Sequence, residues 1–245
     1  MNYSDSHCHL DRCPPHLLSE TINDAAFLGI NLIITMAMDI TSAATTIRIA
    51  ETYPNVKAAV GIHPWNAVPP TGETLKVLSA YLQNGEVVAL GEIGLDYQRS
   101  QQSQAVQREL LLAELKLAQE VDLPVNLHCR GAHQDMVNIL RQEIGIRGII
   151  HGFSGNENDL EDWLGLGFFI SIGRRGFVTD EIPWLVNVIK KIPLERLLTE
   201  TDATGSPSTP ADVLSVVNKL AELYGISSER IAAKATENLK QVLRL

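Results

Sequence analysis

With 245 residues, 45% of them hydrophobic, the chain can bury a large core, and no composition break or linker divides it, so one domain over 1–245 is expected. A formal net charge of -9 argues against a broad non-specific nucleic-acid platform, which needs a basic face, although bound divalent cations would still attract phosphate locally. No apolar run is long enough to span a bilayer, no basic segment precedes an apolar stretch, and the three cysteines Cys8, Cys13 and Cys129 suit a reducing cytoplasm better than a disulfide framework.

Apolar runs alternate with amphipathic stretches along the whole chain, the pattern of βα units around a parallel sheet. The first predicted strand, near 4–8, leads through Asp5-Ser6-His7-Cys8-His9-Leu10-Asp11. Period-two alternation puts His7 and His9 on one face and Cys8 on the other. Two imidazoles so spaced either clasp a divalent cation or form a hydrogen-bonded pair on an edge strand. A strand near 31–36 precedes a helix capped by Thr41-Ser42, and one near 56–61 runs into Gly61-Ile62-His63-Pro64-Trp65. A strand near 87–91 is closed by Glu92, and apolar residues at helical spacing then mark a helix between Gln101 and Glu120. Strands near 123–128 and 147–151 end on His128 and His151, with Cys129 and Arg130 following the first. An Asp159 cap, a strand near 167–172 and the Arg174-Arg175 pair come next, then a strand near 196–201 that hands on to Asp202. The loop Ala203 to Pro210 carries no charge, Thr209-Pro210 reads as a helix start, and Ser227-Ser228-Glu229 opens a last helix through Ile231 to Leu243. Of seven histidines, only His16 and His133 fall away from strand ends.

The spacing decides between a barrel and an open sheet. His9 to His63 spans 54 residues and His151 to Asp202 spans 51, each room for two βα units; the intervals of 29, 36 and 23 through Glu92, His128 and His151 hold one unit each. That makes eight strands, with candidate ligands after strands one, four, five, six and eight. An open doubly wound sheet would gather them at one switch point. The expected fold is a single (β/α)8 TIM barrel with an extra C-terminal helix.

Together His7, His9, Glu92, His128, His151 and Asp202 offer six ligands, more than one catalytic zinc with an open position uses and suited to two cations sharing a carboxylate. Glu92 can bridge, with His7, His9 and Asp202 on one ion and His128 and His151 on the other. Water held between two such ions loses a proton near neutral pH and becomes a nucleophile. Asp202 can also take that proton and pass it to the leaving group, so Asp202 and Glu92 are the catalytic candidates. Arg130, two positions beyond His128, suits bidentate contact with an anionic group or a salt bridge to a loop carboxylate. His63 is placed to contact substrate or leaving group, and Trp65 to stack on a base or cover the rim. Asp96, Tyr97, Arg174 and Arg175 belong to the mouth as solvated loop residues. Individually, each candidate ligand has a structural reading: an ion pair, a core imidazole or a cap.

The runs Asp5 to Asp11, Gly61 to Pro64, Gly91-Glu92-Ile93-Gly94-Leu95-Asp96-Tyr97, Leu123 to Arg130, His151-Gly152-Phe153-Ser154-Gly155 and Glu200-Thr201-Asp202 resemble, in order, the signatures of TatD-type metal-dependent deoxyribonucleases of the amidohydrolase superfamily. The resemblance covers essentially the whole chain. It implies a TIM barrel, two divalent metal ions held by the same six residues, and hydrolysis of DNA phosphodiesters, typically from the 3′ end. Two features depart from the family pattern: the loop after Asp202 is uncharged and short, and Gly131 stands where an acidic residue is usual. The expected partner is DNA as substrate, single-stranded or at 3′ ends, with no membrane and no obligate protein partner. The ligand set admits Mg, Mn, Zn or Co. A binuclear hydrolase of a small phosphoester, amide or lactone, and a metal-bound scaffold without turnover, are the alternatives.

Overall fold

A computed structural model describes residues 2–245. Strands and helices alternate: β1 (Tyr3–Cys8), α1 (Pro15–Phe27), β2 (Ile30–Met36), α2 (Ile40–Thr52), β3 (Val56–Val60), α3 (Gly72–Leu82), β4 (Val87–Asp96), α4 (Gln104–Val121), β5 (Val125–Arg130), α5 (His133–Gln142), β6 (Gly148–Ile150), α6 (Glu157–Gly165), β7 (Phe169–Ile172), α7 (Pro183–Ile189), β8 (Leu197–Thr199), α8 (Val213–Tyr224) and α9 (Ser228–Leu243). The strands lie in sequence order, and neighbours from β1 to β8 pair in parallel.

The seam between first and last strands closes this sheet into a barrel. Asp202 N–H donates to the His7 carbonyl at 2.9 Å and His9 N–H to the Ala203 carbonyl at 2.7 Å. Below them the buried Asp5 carboxylate accepts from Thr201 N–H at 3.0 Å and from its hydroxyl at 2.6 Å. Inside, Leu32, Ile34, Met36, Val88, Ile149, Phe169 and Leu198 form an apolar plug, and Leu239, Val242 and Leu243 of α9 join it. The extra helix therefore covers the end where the strands begin, leaving the opposite end for chemistry. A larger apolar layer between the sheet and its surrounding helices includes Cys8, the role expected from alternation. No helix among the described residues is long and apolar enough to cross a membrane.

Several boundaries differ from those predicted. Strand β4 continues past 91 to Asp96, so Glu92 lies within the strand rather than closing it. Its glycines permit this: a Cβ at Gly91 would stand 2.7 Å from the Asn126 carbonyl oxygen, and one at Gly94 would overlap the His128 carbonyl oxygen. The two backbones thus approach where only glycine fits, and the pairing shifts register between Gly91 and Ile93. Strand β5 likewise runs on to Arg130, setting His128 inside it. Helix α2 is capped by Asp39, with Ser42 completing a reciprocal capping box, and α6 by Asn156 with Asp159 as its third helical residue. Thr209 caps a short 3-10 turn, Pro210–Asp212, that runs directly into α8.

Candidate metal centre

Glu92 is the hub. It is buried on β4, and its two oxygens divide the neighbouring imidazoles between them. Oε1 lies 2.8 Å from His128 Nδ1, 2.8 Å from His151 Nε2 and 3.2 Å from His63 Nε2. Oε2 faces His7 Nε2 at 3.4 Å and His9 Nε2 at 3.5 Å. Asp202 joins the second group, its Oδ1 being 3.4 Å from His9 Nε2 and 4.0 Å from His7 Nε2. The six predicted ligand residues are thus gathered at the carboxyl end of the barrel, with His63 among them. Burial works to raise the Glu92 carboxyl, but the surrounding imidazoles outweigh it and hold the group well below the usual carboxylate range. Burial also works to raise Asp202, and the imidazoles of His9, His7 and His151 outweigh it and lower the group. Asp202 is 43% exposed at its side chain and has a left-handed backbone, φ 54°, strain of a kind that collects at functional positions.

The outer partners fix which nitrogen faces the centre. Asn126 Nδ2 donates to the Ser6 carbonyl at 3.4 Å, which turns its Oδ1 toward His7 Nδ1 at 3.0 Å. An amide oxygen only accepts, so the His7 proton sits on Nδ1 in the neutral ring and Nε2 carries a bare lone pair. That buried nitrogen has no hydrogen-bond partner and points at a carboxylate. Lone pair against anion is unfavourable unless a cation lies between them, so the donor set fits a divalent metal. His7 Nε2, His9, Glu92 and Asp202 would hold one ion, and Glu92, His128 and His151 a second. His63 is different: its Nδ1 accepts from Trp65 N–H at 3.1 Å, leaving the Nε2 proton to donate to Glu92. Burial lowers the basicity of His63 despite that carboxylate. His151, by contrast, is raised well above the usual value, as Glu92 and Glu200 outweigh its burial.

Three participants escaped the sequence reading. Asp96 is not a solvated loop residue: it is fully buried at the end of β4, accepting from the Trp65 indole at 2.8 Å, with its Oδ2 3.2 Å from His128 Nε2. Asn126 orients His7, and Glu200 lies 3.4 Å from His151 Nδ1 while accepting from Gly152 N–H at 2.7 Å. Asn126 stands two positions before His128 and Glu200 two before Asp202, while Asp96 follows Glu92 by four, so strand periodicity was the available signal. Trp65 sits on the rim, 39% exposed, tied to Asp96. Arg130 is half-buried beside the mouth and makes no hydrogen bond or ion pair through its side chain among the described residues, whereas Arg174 pairs with Asp212 at 3.0 Å. Tyr97 is turned away by a hydrogen bond to Asp135 at 2.7 Å.

Comparison with known proteins agrees with this architecture. The family model described as TatD related DNase matches residues 4–244. The chain is 32% identical to the uncharacterized metal-dependent hydrolase YabD of Bacillus subtilis, over 98% of both chains. It is 33% identical to the 3'-5' ssDNA/RNA exonuclease TatD of Pantoea vagans, over 81% of this chain and 82% of that one. The crystal structure of YjjV, a TatD homolog from Escherichia coli, superposes with a TM-score of 0.88 at 30% identity, covering 99% of this chain and 98% of that one. A barrel closed in strand order, the imidazole and carboxylate cluster at its carboxyl end, and a family match over nearly every residue agree: the chain belongs to the TatD related DNase family.

Proposed function

We propose that this metal-dependent hydrolase cleaves phosphodiester bonds of DNA, single strands or 3′ ends being its substrates, with two divalent cations of Mg, Mn or Zn type. The observation that carries the reading is the division of imidazoles between the two oxygens of Glu92, which gives one carboxylate a separate set of partners on each side. Divalent ions bound there would polarise the scissile phosphoryl group and supply an ionised water at neutral pH. The remaining work falls to the chain itself. Asp202, held ionised and partly exposed, accepts the nucleophile's proton and returns it to the leaving oxygen. Arg130 offers an unpaired guanidinium to a phosphate oxygen, and His63 with Trp65 lies where the leaving nucleotide departs. The similarity to a protein named as a 3'-5' ssDNA/RNA exonuclease supports the choice of substrate. The chain 1–245 acts as one domain in this reading, and its three free cysteines suit the cytoplasm.

The test is turnover by metal-reconstituted protein of a labelled single strand beside a panel of small phosphoesters, amides and lactones. Stepwise shortening from the 3′ end is the expected result. Turnover confined to a small ester or lactone would transfer the same site to a different substrate.

A further inference from the structure

Three arginines outside the imidazole cluster share its end of the barrel. Arg130 ends β5, Arg99 follows β4 and Arg175 follows β7. The β4 loop is drawn against the end of β5: Tyr97 N–H donates to the Arg130 carbonyl at 2.9 Å, and a Cβ at Gly131 would meet Gln98 at 2.6 Å. The Asp96 carboxylate anchors this loop by accepting from Arg99 N–H at 2.8 Å and from Gln98 N–H at 3.0 Å. Arg175 lies in a tight turn in which Val178 N–H donates to the Arg174 carbonyl at 2.7 Å. Arg130 is half-buried at this mouth, with Asp96 and Asp202 as carboxylates of the same end of the barrel. Asp96 is engaged by Trp65 and His128, and Asp202 by His9.

None of the three guanidiniums forms an ion pair among the described residues, whereas Arg174 beside Arg175 pairs with Asp212, as Arg108 does with Asp135 and Arg141 with Asp162. The carboxylates of this rim are thus occupied, Asp212 by Arg174 and Asp96 and Asp202 by the groups just named. Like charges whose neighbouring carboxylates are occupied repel one another, and a multiply charged anion relieves them.

We propose that Arg99, Arg130 and Arg175 form a phosphate cradle that binds the linkages flanking the scissile one, so that the preferred substrate carries several phosphates in a row. This rests on the phosphodiester reading of the central site. A single phosphodiester engages the metal centre alone, whereas a strand reaches the rim as well. Three contacts on an otherwise acidic surface give a short track, which strands longer than a few nucleotides do not extend.

The experiment compares Arg99→Gln and Arg175→Gln with the paired-arginine variants Arg108→Gln and Arg141→Gln. Binding of a fluorescent phosphorothioate octanucleotide to the metal-loaded protein is followed against salt, and KM is measured for an octanucleotide and for bis(4-nitrophenyl) phosphate. Each rim variant should weaken octanucleotide binding about fivefold to tenfold and lower the salt slope by about 0.7, one phosphate's worth on a single strand. The paired-arginine variants should change neither. KM for bis(4-nitrophenyl) phosphate should rise far less than KM for the octanucleotide in the rim variants. An unaltered slope and affinity, or equal losses on both substrates, would overturn the cradle. Strand binding that depends on the arginines without any shortening of the strand would instead overturn the hydrolysis of DNA and leave the cradle standing.

Discussion

The lone pair of His7 is aimed from its far side, where Asn126 holds the other ring nitrogen. Asn126→Ala should therefore lower metal affinity by about 10- to 100-fold while the fold survives, as titration with a chelating dye would record. Glu92→Gln keeps the shape of the hub but removes its charge, so elemental analysis should find most of the metal gone and turnover lost with it; a fully active variant would refute the bridging role. Asp202→Asn should retain much of the metal and lose ~10²–10⁴ in kcat, the share expected of proton transfer. Unchanged kcat would leave Asp202 a structural role at its strained turn. The six acid and imidazole residues were legible because His7 and His9 alternate on one strand and the other four come at or near the end of an apolar run, so position in the chain gave position in the barrel. Asn126 and Glu200 were missed although each stands two positions before a ligand candidate, because an amide inside β5 or an acid just beyond β8 has no distinctive local context of its own.

Strand β4 shows what short-range patterning misses. The apolar run ends at Gly91, so the strand was expected to stop there; in the barrel Gly91 and Gly94 are the positions where β5 leaves no room for a side chain. Gly94→Ala should destabilise the protein by ~1–3 kcal/mol or more, since either the strand pair or the His128 carbonyl must move, and denaturant unfolding would measure it. Helix α4 poses a different problem with Glu114, fully buried behind β3, one oxygen accepting from Ile62 N–H at 2.8 Å and the other without a partner. Burial raises this carboxyl well above its ordinary value, with the Ile62 hydrogen bond opposing. The folded state then holds a proton that the unfolded chain releases above pH ~4.5. The contribution is complete below that pH and declines as pH rises toward the folded value. Glu114→Gln should remove the decline, flattening unfolding free energy against pH from weakly acid to neutral conditions. An unchanged slope would mean that Glu114 is ionised in the folded protein.

At the scale of the molecule, the barrel was readable from spacing alone, because one βα unit takes a narrow range of lengths and the intervals between candidate ligands summed to eight strands. The seam was not readable, since Asp5 looks like part of a histidine motif and Thr201 like the last residue of a strand, although together they tie β1 to the end of β8. Asp5→Ala takes the acceptor from three buried donors, His7 N–H and the Thr201 N–H and hydroxyl, and should cost about 1–3 kcal/mol or more, seen as a lowered Tm. Because candidate ligands come from β1, β4, β5, β6 and β8 or the residues just beyond them, bound metal is expected to raise stability by ~2.7 kcal/mol at a hundredfold excess over Kd, and a chelator to reverse it. That same seam joins residues 196 positions apart. During synthesis His7 and His9 emerge first and wait for Asp202, which comes with the last strand, so the ribosome releases no partial chain that holds the whole set. A hydrolase built this way has a clock in its topology: the cluster is complete only once β8 and Asp202 have been made, and any fragment ending before β8 lacks one of its six members.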